Sequence, residues 1–173
     1  MRFYDKANFV RIKLSVAFAL LIIPVLLFSS CANDGANNSD LPSVKLSIDC
    51  TNALESGLLS EEMTALLPED GVILSCDAEF SEGESVADIL LRETKNAGIL
   101  TEVSFTPMYG SIYVEGIANL YEFDCGELSG WMYRVNGEFP NYGCSGYYPE
   151  DGDVVEWVYT CDLGEDVGST DFS

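Results

Sequence analysis

The stretch "GWMYRVNGEFPNYGCSGYYPEDGDVVEWVYTCDLG", residues 130–164, contains the two best-defined strands of the chain. Because side chains alternate along a strand, the first of them places Trp131, Tyr133 and Val135 on one face. The same spacing recurs in the last strand, in Val155, Trp157 and Tyr159. Between the two strands, the Asn-Gly dipeptide at 136–137 predicts a tight turn. Core packing is the default interpretation of such alternating aromatics, and ligand contact is the alternative.

Two earlier segments show the same alternation of apolar and polar residues. "VKLSIDC" (44–50) and "GVILSCDAEF" (71–80) each predict a half-buried strand, and consecutive strands of this kind are most often antiparallel neighbours. In the connection between them, "SEEMTALL" (60–67) predicts a short helix. With Cys50 opposite Val72, this pairing places Cys76 opposite Leu46.

A change of period marks one clear helix in "EGESVADILLRETKNAG" (82–98). Ser85 followed by Asp88 is typical of a capped helix start, and Gly98 is typical of a helix end. Two strand-like stretches, "ILTEVSF" and "GSIYVEGI", come next. The order predicts an α+β fold: a single small domain with a β-grasp-like mixed sheet and one packed helix, in which the first and last strands lie parallel at the sheet centre.

The N-terminus reads as a lipoprotein signal peptide over residues 1–31. A basic start precedes an apolar run from Leu14 to Phe28, and small residues then lead to Cys31. That ending resembles a lipobox and predicts lipidation of Cys31, whereas simple cleavage after Ala32 is the alternative. Residues 32–43 are expected to form a flexible polar linker and residues 165–173 a loose acidic tail. The protein would thus be exported and lipid-anchored at the extracellular face of the cell membrane.

Composition excludes several classes of function. The net charge is −21, or about −24 without residues 1–31, so nucleic acid is excluded as a partner and the membrane is contacted only through the lipid. The absence of histidine removes Ser-His-Asp and Cys-His catalysis and the histidine-containing zinc sites. A carboxylate pair for hydrolysis stays open only as a third alternative. We therefore expect no enzyme activity, no cofactor and no metal site.

Five cysteines remain when Cys31 is set aside, which allows two disulfides and one free thiol. Cys125 and Cys144 lie in glycine-bearing turns on either side of the Trp131 strand, where the backbone can adjust to a bridge. Cys50 and Cys161 end the first and last strands, which emerge at the same end of a parallel pair. The predicted pairs are Cys125–Cys144 and Cys50–Cys161, with Cys76 as a buried free thiol.

The block from Tyr121 to Gly164, together with "GESVADILLRET" and "VKLSIDC", resembles the bacterial DUF4430 family, the transcobalamin-like C-terminal domain. The resemblance covers about residues 44–164 and suggests a bacterial lipoprotein member. It implies a β-grasp-like fold without enzyme activity.

In the cobalamin carriers that share this module, the Trp-led strand and the following glycine loop lie over the corrinoid. The resemblance, with the open position of the loop tyrosines, implies these ligand-binding residues: Trp131, Met132, Tyr133, Tyr142, Gly143, Ser145, Gly146, Tyr147 and Tyr148. It implies a ligand-binding function, with cobalamin or a related corrinoid as the leading candidate. A surface-tethered module that binds a protein partner or a glycan is the alternative.

Overall fold

The computed structural model describes residues 41–169 of the 173-residue chain. Its elements, in chain order, are β1 (Ser43–Asp49), α1 (Thr51–Ser56), α2 (Glu61–Thr64), β2 (Val72–Glu79), α3 (Val86–Ala97), β3 (Thr101–Thr106), β4 (Ser111–Ile117), β5 (Leu120–Tyr121), β6 (Gly130–Val135) and β7 (Val154–Thr160). Single 3-10 turns span Cys144–Gly146 and Glu165–Val167. The predicted signal peptide with Cys31, most of the linker, and residues 170–173 lie outside the described residues. No helix within residues 41–169 is both long and apolar enough to span a bilayer.

The larger sheet has the mixed topology predicted from the sequence. Its strand order is β2-β1-β7-β6, with β1 and β7 parallel at the centre and the two outer pairs antiparallel. Leu46 lies opposite Cys76, as expected, although a bulge after Ile48 places Asp49 rather than Cys50 opposite Val72. The inward side chains of the two central strands are buried, and Leu46 and Ile48 are almost inaccessible.

The predicted helix forms with the predicted ends. The Ser85 side chain accepts a hydrogen bond from the Asp88 amide, and the Asp88 carboxylate accepts one from the Ser85 amide, which completes a capping box. Gly98 ends α3 in a left-handed conformation at φ 71°. One face of α3, formed by Val86, Ile89 and Leu90, is fully buried in the same core as the strands. The α+β class with a packed helix is therefore confirmed.

Strands β3, β4 and β5 form a second, antiparallel sheet instead of joining the first. It contributes Val114, Ile117 and Leu120 to the common core. Two side chains of the larger sheet donate hydrogen bonds to β5, the last strand of the second sheet. The Trp131 indole donates to the Leu120 carbonyl at 2.9 Å, and the Tyr159 hydroxyl donates to the Tyr121 carbonyl. These bonds satisfy polar groups that burial would otherwise leave without partners.

Residues 165–169 of the predicted acidic tail pack against the domain. The Asp166 carboxylate accepts hydrogen bonds from the Asn52 amide, the Thr160 hydroxyl and the Cys161 backbone N–H. Gly164, which precedes this segment, lies close to Met132 of β6, since an added Cβ would come within 2.8 Å of the Met132 sulfur. The expectation of a loose tail from residue 165 is wrong for this part of it, because hydrogen bonds to a single carboxylate fix the turn.

Neither predicted disulfide is present, since all five described cysteines are free thiols. The Cys144 sulfur lies near the Ser111 hydroxyl and the Ile112 carbonyl, whereas Cys125 accepts a hydrogen bond from Ser56. The buried thiol of Cys50 donates to the Gly71 carbonyl at 3.3 Å. The free thiol expected at Cys76 is found, and it is half-buried. The two strand ends do meet, but the sulfurs of Cys50 and Cys161 have different neighbours.

Candidate functional site

An open cleft of about 570 Å³ lies between the two sheets at the outer face of β6. One wall is the β3–β4 hairpin, with Thr106, Tyr109, Ser111, Ile112 and Tyr113. The other wall is Met132 of β6 with the connection that follows this strand, residues 139–143. Ser169 of the C-terminal segment closes one side. The volume falls within the range of small-molecule sites, roughly 300–1,000 Å³.

The walls of the cleft carry no charged side chain among their lining residues, although the chain as a whole carries a net charge of −21. Aromatic rings and a thioether dominate the lining, in Tyr109, Tyr113, Met132, Phe139 and Tyr142. Such surfaces accept flat apolar groups by stacking and dispersion. The cleft is thus the part of the described surface best suited to an apolar ligand.

Three phenols in or beside the cleft, those of Tyr113, Tyr133 and Tyr147, have a raised pKa. Partial burial, together with the hydrogen bond that the Tyr113 hydroxyl donates to the Glu122 carboxylate at 2.7 Å, raises the pKa of Tyr113. Burial is also the first cause that raises the pKa of Tyr133 and the pKa of Tyr147. These tyrosines therefore present neutral aromatic groups rather than phenolate anions to the cleft.

Three tyrosines form a cluster behind the cleft. The rings of Tyr142 and Tyr147 are stacked at 5.8 Å and 11°, and Tyr133 meets Tyr147 edge-on at 6.2 Å. Tyr133 also packs on Trp157 at 5.6 Å and donates from its hydroxyl to the Tyr142 carbonyl at 2.7 Å. This cluster joins the core to the cleft and holds Tyr142 in position at the rim.

The loop after Tyr142 is bound to the start of β4. Ser145 donates from its backbone N–H to the Ser111 hydroxyl at 3.2 Å, and its own hydroxyl accepts from the Ile112 amide at 3.1 Å. Gly143 allows this approach, because a Cβ there would lie 2.3 Å from the Ser111 side chain. The Tyr147 carbonyl accepts a hydrogen bond from the amide of Val86, the first residue of α3. The loop is consequently a fixed wall.

The structure brings three of the nine predicted ligand residues to the cleft: Met132, Tyr142 and Gly143. Tyr133 and Tyr147 support this wall from behind, and Ser145 and Gly146 belong to the loop that anchors it. Trp131 is only 6% exposed, so the core interpretation of this residue is confirmed. Tyr148 is exposed outside the cleft lining.

Sequence reasoning missed the wall supplied by the β3–β4 hairpin and Phe139. Tyr113 stands at an outward position of an alternating strand, between inward Val114 and Ile112. A large aromatic residue where a polar one is expected was the available signal for Tyr113. Nothing comparable marks Phe139, whose place depends on the path of a loop.

No metal centre is found in the part of the chain that the structure describes: no group of three or more His, Cys, Asp or Glu side chains lies close enough to hold an ion. Two arginines there form ion pairs with carboxylates. Arg134 forms a two-pronged bond with Glu156 at 2.8 Å, and Arg92 contacts Glu84 and Glu93.

Comparison with known proteins finds a similarity to one family model and to the fold of a solved structure. The model of "Domain of unknown function (DUF4430)" matches residues 83–161. No curated protein matches the chain. Among solved structures, haptocorrin in complex with Cbi matches at a TM-score of 0.50 with 12% identity, over 70% of this chain and 26% of haptocorrin.

A second solved structure, described as a candidate metal binding protein from Ruminococcus gnavus ATCC 29149, matches at a TM-score of 0.44 with 15% identity, over 69% of this chain and 96% of that one. The likeness to haptocorrin concerns the fold, and the present chain spans about a quarter of haptocorrin's length. The match to the family model confirms the resemblance seen in the sequence, and it places the similarity to DUF4430 in residues 83–161.

Proposed function

We propose that the domain is a non-enzymatic ligand-binding module whose cleft takes a flat, largely apolar ligand of the corrinoid class. The observation that carries the proposal is the uncharged aromatic cleft in a chain with a net charge of −21. If this surface served only to keep the protein soluble, its lining would be expected to include carboxylates, as the rest of this acidic chain does. The haptocorrin structure, which contains Cbi, supports the corrinoid as the ligand class.

The shape of the cleft sets the expected strength of binding. It is open to solvent, and Tyr142 and Tyr109 stand exposed at its rim. Tight small-molecule sites bury about 70–90% of their ligand. A one-sided cleft buries less, so we expect a dissociation constant in the micromolar to millimolar range, or a partner that covers the other face of the ligand.

A second function is supported by the tip of the β3–β4 hairpin. Phe105, Met108 and Tyr109 are 64%, 84% and 75% exposed and lie together at the end of this hairpin. Exposed apolar groups of this kind mark interaction surfaces. On this alternative the protein is a surface-tethered module that binds a protein or glycan partner.

Titration of the purified protein with cobinamide, followed by tryptophan fluorescence and calorimetry, tests the first proposal. Tyr142→Ala removes an aromatic face from the cleft and should weaken binding by about two- to tenfold, the value of one stacking contact. Tyr148→Ala is the matched control, because this tyrosine is exposed but does not line the cleft.

Wild-type protein that gives no signal at millimolar cobinamide would remove the corrinoid proposal and leave the interaction module. Equal losses in Tyr142→Ala and Tyr148→Ala would place any binding outside the cleft.

The proposal also includes an N-terminal lipid anchor. Export and lipidation at Cys31 would hold the domain at the extracellular face of the cell membrane, where it meets external ligands but not nucleic acid. Partition of the protein between detergent and aqueous phases tests lipidation, and recovery in the aqueous phase alone contradicts it.

A further inference from the structure

Two cysteines that belong to different segments meet at one end of the larger sheet. Cys161 directly follows β7, and Cys125 lies in the turn before β6. Ser56, the last residue of α1, donates a hydrogen bond to the Cys125 sulfur at 3.8 Å and also contacts the Cys161 thiol. Three elements thus converge on the two sulfurs.

The backbone around these cysteines is held in register. The Cys125 amide donates to the Ser129 hydroxyl at 3.1 Å, and the oxygen of the same hydroxyl lies 3.1 Å from the Tyr159 hydroxyl of β7. Gly130 pairs with Thr160, and the Leu163 amide donates to the Leu128 carbonyl at 2.9 Å on the far side of Cys161. The segments that carry the two cysteines are therefore bonded to each other before and after the sulfurs.

The surroundings of the two sulfurs agree with this geometry. Burial, followed by the neighbouring Cys125 thiol, raises the pKa of Cys161 to about 12. Cys125 itself is only 3% exposed, whereas Cys161 is half-buried. By contrast, the Cys144 and Cys50 sulfurs contact backbone carbonyls and a hydroxyl elsewhere.

We propose that Cys125 and Cys161 form an intramolecular disulfide when the protein meets an oxidising thiol buffer. This pairing replaces the two pairs expected from the sequence. Cys161, the more exposed thiol, attacks glutathione disulfide as its thiolate and releases one glutathione. The Cys125 thiolate then attacks the Cys161 sulfur of the mixed disulfide and releases the second glutathione. The two thiol protons end on the two glutathione molecules, and the two electrons lost by the cysteines reduce the glutathione disulfide.

The bridge would close a loop that contains β6, β7 and the connection between them. Met132 and Tyr142, which line the cleft, lie inside this loop. Oxidation would consequently restrain one wall of the cleft without touching its lining. Slow formation at neutral pH is expected, because little of Cys161 is ionised there.

Peptide mapping tests the pairing directly. The full chain is reduced, equilibrated with a glutathione and glutathione disulfide buffer, alkylated after denaturation and digested without reduction. We expect one linked peptide, Cys125 with Cys161, lighter by two hydrogens than its halves, and full alkylation of Cys76. A peptide that links Cys125 to Cys144 or Cys50 to Cys161, or full alkylation of Cys125 and Cys161 after oxidation, would overturn the proposal.

Thermal unfolding of variants gives a second measurement. Oxidised wild type should unfold at least about 5 °C above its reduced form, because a long closed loop limits the unfolded chain. Cys76→Ser is the matched control and should keep this difference. Cys125→Ser and Cys161→Ser should lose it, and a redox-dependent melting temperature that survives in both would contradict the bridge.

Discussion

At the scale of single residues, the two tryptophans occupy similar positions with different polar surroundings. Both are buried on the inner face of the larger sheet, in neighbouring strands. Trp131 donates its indole N–H to the Leu120 carbonyl, whereas the Trp157 indole nitrogen has no hydrogen-bond partner among the described residues. An unpaired buried donor is uncommon. Because the two tryptophans are both buried and differ in this hydrogen bond, comparing their substitutions separates the contribution of burial to stability from that of the bond.

We predict that Trp131→Phe destabilises the domain by about 1 kcal/mol more than Trp157→Phe. Both changes remove the same atoms from a packed core and cost the same kind of cavity. Only the first also leaves the Leu120 carbonyl without its donor. Urea unfolding measures the difference through the two midpoints. Equal losses would mean that the indole bond to the second sheet contributes nothing to stability.

At the scale of elements, the cleft wall depends on how closely the loop 143–146 approaches β4. The Ser145 amide donates to the Ser111 hydroxyl and the Ser145 hydroxyl accepts from the Ile112 amide, and Gly143 leaves room for this contact. The glycines of this loop predicted a backbone accessible to a ligand. In the structure, Gly143 allows the loop to approach Ser111 of β4, whereas Gly146 has room for a side chain.

We predict that Gly143→Ala destabilises the domain by about 1–3 kcal/mol, the usual cost of overpacking. A Cβ would stand 2.3 Å from the Ser111 side chain, so the loop or β4 must move. Gly146→Ala is the matched control, because its Cβ would meet only Tyr142 at an ordinary 3.7 Å. Urea midpoints measure both, and cobinamide titration shows whether the wall has moved. Equal stability of the two variants would show that the loop is not held as described.

The parts of the fold that the sequence predicts are those governed by local spacing. The alternation in β1 and β7 and the capping pair Ser85 and Asp88 each depend on a few neighbouring residues, and all of them are confirmed. The cleft depends instead on which distant segments meet. Met132 and Tyr142 were found through the resemblance, but their opposite wall could not be found, because periodicity does not show that β3 and β4 form a sheet of their own. The expected cysteine pairs fail for the same reason.

At the scale of the whole molecule, the net charge of −21 opposes folding near neutral pH, because the compact state brings like charges together. Among residues 41–169 only Lys45, Arg92, Lys95 and Arg134 are basic. Two carboxylates, those of Asp88 and Asp166, instead stabilise the folded state in their ionised form. Hydrogen bonds from Ser85 lower the pKa of Asp88, and in Asp166 burial is outweighed by bonds from Thr160, Asn52 and the backbone, which lower its pKa.

These two effects predict a maximum of stability in mildly acidic solution. As the pH falls from 7 towards about 5, protonation reduces the net charge and the free energy of unfolding should rise. Asp88 and Asp166 have lower pKa values in the folded state, so their contribution is complete above the unfolded value of about 4 and is lost as the pH falls through the folded value. Below about pH 4 the stability should therefore decrease.

Urea unfolding between pH 2 and pH 8, with and without added salt, measures this profile. At pH 7, raising the ionic strength to about 0.5 M should stabilise the protein, because it screens the general repulsion more than it weakens the few ion pairs. Asp166→Asn isolates the acidic limb: it should be less stable than wild type at pH 7, and the two should converge once Asp166 is protonated. A wild-type stability that falls steadily from pH 7 to pH 5, and decreases with salt, would show that paired carboxylates outweigh the repulsion between the unpaired ones.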